Sequence, residues 1–396
     1  MLRDYAAVIS RNSQQKENEK DGLHILLISI HGLIRGGNLE LGRDADTGGQ
    51  IKYVLELTRA LAQQPEVAQV VLLTRRIDDA QIDDDYAQAV EELGDGARIV
   101  RLDAGPPEYL PKETLWDHLD TFTDNALTYL RTTDALPDLV HSHYADGGYV
   151  GSRLSAQLGV PLIHTGHSLG RVKRRRLLAT GLDSTTIEQR YSMSRRIEAE
   201  EQTLAIAERV ITSTSQEIEE QYGFYDHYQP DQMRVIPPGT DLLHFHPPQG
   251  DEWQNPISEE ICRFLRDPQK PIILALSRPD TRKNIGALVT AFGESEELQT
   301  AANLLIVAGN RDDISELDEG AQEVWTDLLL LIDRYDLYGR AAYPKHHGAD
   351  DVPLIYRLAA ASGGVFVNPA LTEPFGLTLI EAAASGLPIV ATEDGG

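Results

Sequence analysis

The chain has 396 residues, of which 41% are hydrophobic and 25% charged, and its formal net charge is −26 at pH 7. That length exceeds what one ordinary core organises and predicts two domains, while the acidity disfavours nucleic acid or an anionic membrane as a main partner. No run approaches the roughly 18 apolar residues that span a bilayer, and the single cysteine, Cys262, excludes an intrachain disulfide and fits a reducing cytoplasm. Any anionic substrate therefore needs a local basic island in an acidic protein.

Residues 1–22 are polar and unpatterned, a disordered leader without the apolar stretch and cleavage site of a secretory signal. LHILLISI (23–30) is an apolar run of strand length. TGGQIKYVLELTRALAQ (47–63) places apolar residues at helical spacing, with Thr47 as its candidate N-cap. Short strands are then expected at 70–75, 97–102, 139–143, 162–167 and 209–214, with helices over 113–131 and 186–207 between them. Such alternation predicts a parallel sheet with helices on both faces. RVIPPGTDLLHFHPP (234–248) interrupts the pattern with Pro and Gly. It restarts with strands at 271–278, 303–309, 339–344, 363–370 and 387–392. The expected organisation is a domain over 23–240, a linker over 241–270 and a second domain over 271–396. The last residues close a strand with an acidic Gly-Gly loop and stop, which reads as a fragment rather than as a short natural domain.

In open parallel sheets ligands bind beyond the carboxyl ends of the strands, and each chemistry-bearing segment sits there. Gly48 and Gly49 let backbone approach a phosphate or sugar at a helix N-terminus, although glycine pairs before helices are also ordinary turn devices. HTGHS (164–168) follows a strand; its histidines can meet a sugar hydroxyl, or can be satisfied core residues. Arg171, Lys173, Arg174, Arg175 and Arg176 form a run that is either a solvated face or the anion site of an acidic protein, with Arg195 and Arg196 a second basic pair. Arg278 and Lys283 lie in the loop after the first strand of the second half, suited to a leaving diphosphate. Glu373 and Glu381 flank Pro-Phe-Gly, the first in a loop and the second inside a helix. Two carboxylates so placed can accept hydrogen bonds from two polyols.

EPFGLTLIE with SRPDTRKN resembles the retaining glycosyltransferases of the GT-B fold. HGLIRGGNLELGRDADTGGQIKYV (31–54), LPKETLW (110–116), HSHYADGG (141–148) and HTGHSLGRVKRRRL (164–177) narrow the resemblance to sucrose-phosphate synthases, from about residue 23 to the end. It implies two Rossmann-like doubly wound domains facing a central cleft, the second incomplete, and transfer of glucose from UDP-glucose to fructose 6-phosphate with retention. By matching positions, Arg278 and Lys283 would bind the donor diphosphate, Glu373 the glucose hydroxyls and Glu381 the ribose. Gly48 and Gly49 would face the reacting centre and Gln50 would orient the acceptor. His167 would contact the donor sugar near its anomeric carbon, and Lys112, Lys173 and Arg196 would hold the acceptor phosphate. Arg171, Arg174, Arg175 and Arg176 would mostly face solvent or tune the field of that site. No metal or other cofactor is implied.

Other readings remain open at this point. Sucrose synthase shares the donor site but takes unphosphorylated fructose, for which Lys112, Lys173 and Arg196 have no use. Another nucleotide-sugar donor, such as GDP-mannose, fits too, because nothing quoted reads the base. A non-catalytic sugar-nucleotide sensor would keep the donor pocket and lose an intact acceptor side. A dinucleotide-dependent oxidoreductase would need a GxGxxG fingerprint, which the sequence lacks, and a nucleic-acid binder built on the basic run conflicts with the acidic total.

Overall fold

A computed structural model describes residues 22–40, 43–44, 46–133, 136–371, 373 and 376–393. The expected leader up to residue 21 lies outside the described residues, as do Pro374 and Phe375 of the EPFG motif. The chain divides into two compact units, Met1–Pro237 and Pro238–Gly396.

The first unit runs β1 (Leu23–Ile28), α1 (Gly49–Ala62), β2 (Val67–Arg75), β3 (Val90–Gly94), β4 (Ala97–Leu102), α2 (Leu119–Thr132), β5 (Leu139–His143) and α3 (Tyr144–Leu158). It continues with β6 (Leu162–Thr165), α4 (Gly170–Ala179), α5 (Ser184–Tyr191), α6 (Met193–Ile206), β7 (Arg209–Thr212), α7 (Ser215–Glu220) and β8 (Met233–Val235). The strands form one eight-stranded sheet in the order β3-β4-β2-β1-β5-β6-β7-β8. All neighbours pair in parallel except β3, which runs antiparallel along the edge of β4.

The apolar run that opens the sheet shows why it lies inside. Ile25 and Leu27 join one core with Ile51, Val54 and Leu55 of α1. Leu26 and Ile28 join another with Phe122 and Leu127 of α2 and Val150 of α3. A strand buried on both faces reads as a continuous hydrophobic run, because side chains alternate between two covered faces.

The second unit runs α8 (Pro256–Cys262), β9 (Ile272–Ser277), α9 (Ile285–Glu294), α10 (Glu296–Ala301), β10 (Asn303–Ala308), α11 (Glu319–Arg334) and β11 (Ala341–Ala342). It ends with α12 (Asp351–Ala361), β12 (Val365–Asn368), α13 (Leu377–Ala384) and β13 (Ile389–Ala391). Its five-stranded parallel sheet has the order β11-β10-β9-β12-β13. Again the first strand serves two cores: Ile272 and Leu274 pack with Ile355 and Leu358 of α12, and Ile273 with Val289 of α9 and Trp325 of α11.

Four local readings change. Thr47 does not cap α1: its hydroxyl donates to Asp44 at 3.1 Å and accepts from the Leu33 amide at 3.2 Å. Gly48 therefore takes the cap position, with no side-chain hydrogen bond. The helix expected over 113–131 begins as a 3-10 segment, Lys112–His118, before α2. The one expected over 186–207 is two helices broken at Ser192, which is left-handed at φ 46° and donates its hydroxyl to the Glu113 carbonyl. Serine competing for backbone partners is a common reason for such a break. The strand expected over 162–167 ends at Thr165, and His167 turns out of it at φ 57°.

Candidate active site

In each sheet one strand has sequence neighbours leading away on both sides, and the crevice beyond its carboxyl end is where ligands bind in such folds. In the first unit this reversal lies between β1 and β5. His31 follows β1 there, and His143 ends β5.

Five histidines gather around this point. His31 Nδ1 is 2.7 Å from Asp146 Oδ2. His141 Nε2 is 2.9 Å from the Thr165 hydroxyl, and His164 Nδ1 is 2.9 Å from the Ser142 hydroxyl. His143 Nδ1 lies 3.0 Å from His167 Nε2, and the Tyr53 ring stands edge-on to His167 at 5.2 Å. Burial pushes His167 down to about 3, helped by His164 and His31. Burial does the same to His141 and His143, driving both well below the ordinary histidine value. The pair His143–His167 is thus neutral. Tyr144 and His167 hold left-handed backbone at φ 64° and 57°, each at a cost of about 1–3 kcal/mol that the surrounding packing must offset. Such outliers collect at functional sites. Among the described residues no group of three or more His, Cys, Asp or Glu is arranged to hold a metal ion.

Beside the histidines is the basic island. Lys112 Nζ is ion-paired with Asp46, whose carboxylate also accepts from the Lys112 amide at 2.9 Å and the Tyr109 hydroxyl at 3.3 Å. Burial would raise the Asp46 carboxyl, but the Lys112 charge and hydrogen bonds hold it below the usual range. Lys112 and Lys173 each stand 3.7 Å from the same Glu113 carboxylate oxygen. Lys173 also faces the Tyr191 ring at 4.1 Å. Burial first, then the nearby charge of Arg196, push the Lys173 ammonium down to about 8. Arg196 itself is buried on α6: Nε donates to Glu200 at 3.0 Å, Nη2 to the Ser168 carbonyl at 2.7 Å, and the guanidinium lies over Tyr144. Glu200 accepts in addition from the Gly170 amide and the Tyr225 hydroxyl. The three expected cations therefore converge. Gln50 Nε2, on the first turn of α1, reaches the Ser29 hydroxyl at 3.3 Å, with Gly48 half-buried and Gly49 exposed beside it.

Of the remaining basic run, Arg174, Arg175 and Arg176 are exposed. Arg171 is half-buried and not simply solvated: it pairs with Glu201 at 2.6 Å and Asp226 at 2.8 Å.

In the second unit the reversal lies between β9 and β12. Arg278 is exposed just past β9. Lys283 ends a 3-10 turn capped by Asp280, and its Nζ is 2.5 Å from Glu373 Oε2. Asn368, the last residue of β12, donates to the same oxygen at 3.1 Å. Glu381 is buried on α13, with the Tyr356 hydroxyl 3.4 Å from Oε2. Lys283 and Glu373 meet, while Glu381 sits deeper against α12.

Residues 48–239 match the family described as "Glycosyl transferase 4-like domain", and residues 257–396 match "Glycosyl transferases group 1". A probable sucrose-phosphate synthase 1 of Oryza sativa subsp. indica is 47% identical over 97% of this chain. Sucrose-phosphate synthase 1 of Arabidopsis thaliana is 46% identical over 97%. The chain is a homologue of the sucrose-phosphate synthases. It spans 41% of the length of the rice relative and 42% of the Arabidopsis one. Among solved structures, the sucrose-phosphate synthase of Thermosynechococcus elongatus superimposes with a TM-score of 0.68 at 29% identity, covering 94% of this chain and 82% of that one. Anabaena HepE, solved in complex with UDP and glucose, shares the fold at 16% identity and a TM-score of 0.59, covering 94% of this chain and 82% of its own.

The geometry of the site also brings in residues that the sequence reading passed over. Asp46 and Glu113 hold the two lysines, Glu200 holds Arg196, and Asn368 holds Glu373. The three carboxylates had a weak signal: Asp46 lies two residues before the glycine pair, Glu113 follows Lys112, and Glu200 is one turn beyond Arg196. His143 had a better one, since His141 and His143 share a strand face by the two-residue period.

Proposed function

We propose that the chain transfers glucose from UDP-glucose to fructose 6-phosphate, with retention at the anomeric carbon, giving sucrose 6-phosphate and UDP. The observation that carries the choice of acceptor is the convergence of Lys112, Lys173 and Arg196 beside the Gly48–Gly49 loop, to which Lys112 is tied through Asp46. An acidic protein that gathers three cations at the mouth of one sheet has provided for a phosphate, and a neutral sugar needs no such provision.

In this reading Arg278 and Lys283 hold the diphosphate and stabilise its growing charge as the bond from the anomeric carbon to the phosphate oxygen breaks. The acceptor hydroxyl attacks the same face, the new glycosidic bond forms there, and the hydroxyl proton passes to the departing diphosphate. Glu373 receives the glucose hydroxyls and Glu381 the ribose. Gly48 and Gly49 bring backbone to the reacting centre, Gln50 orients the acceptor, and His167 faces the donor sugar. Positioning supplies much of the remaining rate. Leaving-group stabilisation is assigned to Arg278 and Lys283 rather than to a metal, and residence in the cytoplasm goes with the single cysteine; among the described residues no helix is long and apolar enough to cross a membrane.

The test is UDP release from UDP-glucose with fructose 6-phosphate and fructose in parallel. Release that requires the phosphate and collapses in Lys173→Ala supports the reading; equal rates with fructose overturn the assigned acceptor.

A further inference from the structure

We infer that His143 is a positioning residue that fixes the tautomer of His167, so that His167 presents an N–H, carried on Nδ1, to the ligand. The two rings share one short contact, His143 Nδ1 to His167 Nε2 at 3.0 Å. Neutral imidazole carries one proton on one of its two nitrogens, so a single proton bridges this contact and determines the outer nitrogen of both rings.

The outer nitrogens have different surroundings. His143 is fully buried, and its Nε2 has no hydrogen-bond partner. Its ring is enclosed by His141, tilted against it at 4.3 Å, and by the edge of Tyr53 at 6.0 Å. His167 is half-buried, and with Nε2 engaged, Nδ1 is the nitrogen it can offer. If His167 donated across the contact, the His143 proton would sit on Nε2 as an orphaned buried N–H, a rare and costly arrangement. With the proton on His143 Nδ1, the buried Nε2 is a bare acceptor and His167 must carry its own proton on Nδ1. Burial, which keeps both rings neutral, removes the doubly protonated alternative.

The backbone fixes the other half of the geometry. Gly166 precedes His167, and a Cβ there would come within 2.5 Å of Tyr222 Oη. The left-handed turn at His167 directs its ring against His143 instead of along the strand. His143 need not touch any substrate; it acts by settling what His167 can give.

The pairing stands without the proposed function; only the identity of the ligand that receives the proton rests on it. The experiment is nitrogen-15 NMR of the histidine-labelled protein, whose two-bond couplings report the tautomer of each ring. The His167 signals are those that vanish in His167→Gln. The expected result is the Nδ1–H form of His167 at neutral pH. It should persist in His143→Asn, whose carboxamide can donate from nearly the same point, and give way to mostly Nε2–H in His143→Phe. His167 found as Nε2–H in the unsubstituted protein overturns the inference, and His167→Gln serves only to assign the signals. A protein inert toward UDP-glucose with His167 held as Nδ1–H supports the inference and counts against the proposed function.

Discussion

Lys283 and Glu373 meet across 90 residues of sequence, the ammonium 2.5 Å from the carboxylate, with Asn368 donating to the same oxygen. The lysine stands beside a capped 3-10 turn and the glutamate follows β12, so the sheet brings together a cation and an anion that the proposed reaction uses on the diphosphate and the sugar of one donor. Lys283→Ala is expected to weaken UDP binding roughly 10- to 100-fold, the equivalent of one charge-assisted hydrogen bond of about 1.5–3 kcal/mol. The same change should alter stability by less than about 1 kcal/mol, because a partly exposed pair contributes little to folding. Calorimetric titration with UDP, alongside urea denaturation, separates the two; undiminished UDP affinity would remove Lys283 from the donor site.

Lys173 gives the proposed acceptor side a pH signature. Its ammonium is pushed down to about 8 from 10.5. Below about pH 8 the folded protein carries the buried charge; between about 8 and 10.5 the unfolded chain holds a proton that the folded one has released, so stability rises with pH through that window. Affinity for a phosphorylated acceptor moves the opposite way and falls as pH climbs through 8. Lys173→Arg, which stays charged, should flatten that fall. Binding of fructose 6-phosphate measured from pH 7 to 9 checks both statements, and identical profiles for the two proteins would show that Lys173 does not face the phosphate.

Glu200 is the buried counter-charge of Arg196 and also receives the Gly170 amide and the Tyr225 hydroxyl. Removing it strands a buried guanidinium, so Glu200→Ala should cost roughly 3–5 kcal/mol of stability. Glu200→Gln, which keeps the shape and an acceptor, should cost less. Denaturant unfolding of the two variants ranks them; an Ala variant as stable as the parent would mean that water reaches Arg196 readily.

Gly166→Ala would put a methyl within 2.5 Å of Tyr222 Oη and 2.9 Å of Leu169 Cδ2, an overpacking expected to cost roughly 1–3 kcal/mol. The Tyr222 hydroxyl is buried and makes no well-aligned hydrogen bond, with the Gly166 backbone beside it, so Tyr222→Phe should cost little and should recover much of the loss in the double variant. Unfolding of the single and double variants decides it, and a purely additive double variant would place the strain elsewhere.

The strands were readable because a sheet covered on both faces leaves apolar runs such as LHILLISI, whose every residue from Ile25 to Ile28 is buried. β3 was not: VEELG is an edge strand whose residues alternate between exposed and half-buried, and nothing in its composition separates it from a polar loop. The break at Ser192 was hidden because the hydroxyl that stabilises it reaches the Glu113 carbonyl, 79 residues away. The same holds for the site. Its cations stand out in an acidic sequence, whereas their partners Asp46, Glu113 and Glu200 are lost among 62 acidic residues. Only the fold identifies which carboxylates face them.

Those partners change what it means for an anion to arrive. Lys112 already faces Asp46, Lys173 faces Glu113, Arg196 faces Glu200 and Lys283 faces Glu373. In the proposed function each unit would act as a preloaded ion exchanger, in which an incoming phosphate competes with a tethered carboxylate rather than with water. Chloride, singly charged and without a fork of oxygens, gains little from that exchange, while a doubly charged phosphate oxyanion gains more. In the proposed reaction the exchange has a second product: a carboxylate released from its cation is free to accept from a sugar hydroxyl, so a diphosphate that took Lys283 would hand Glu373 to the hexose it carries.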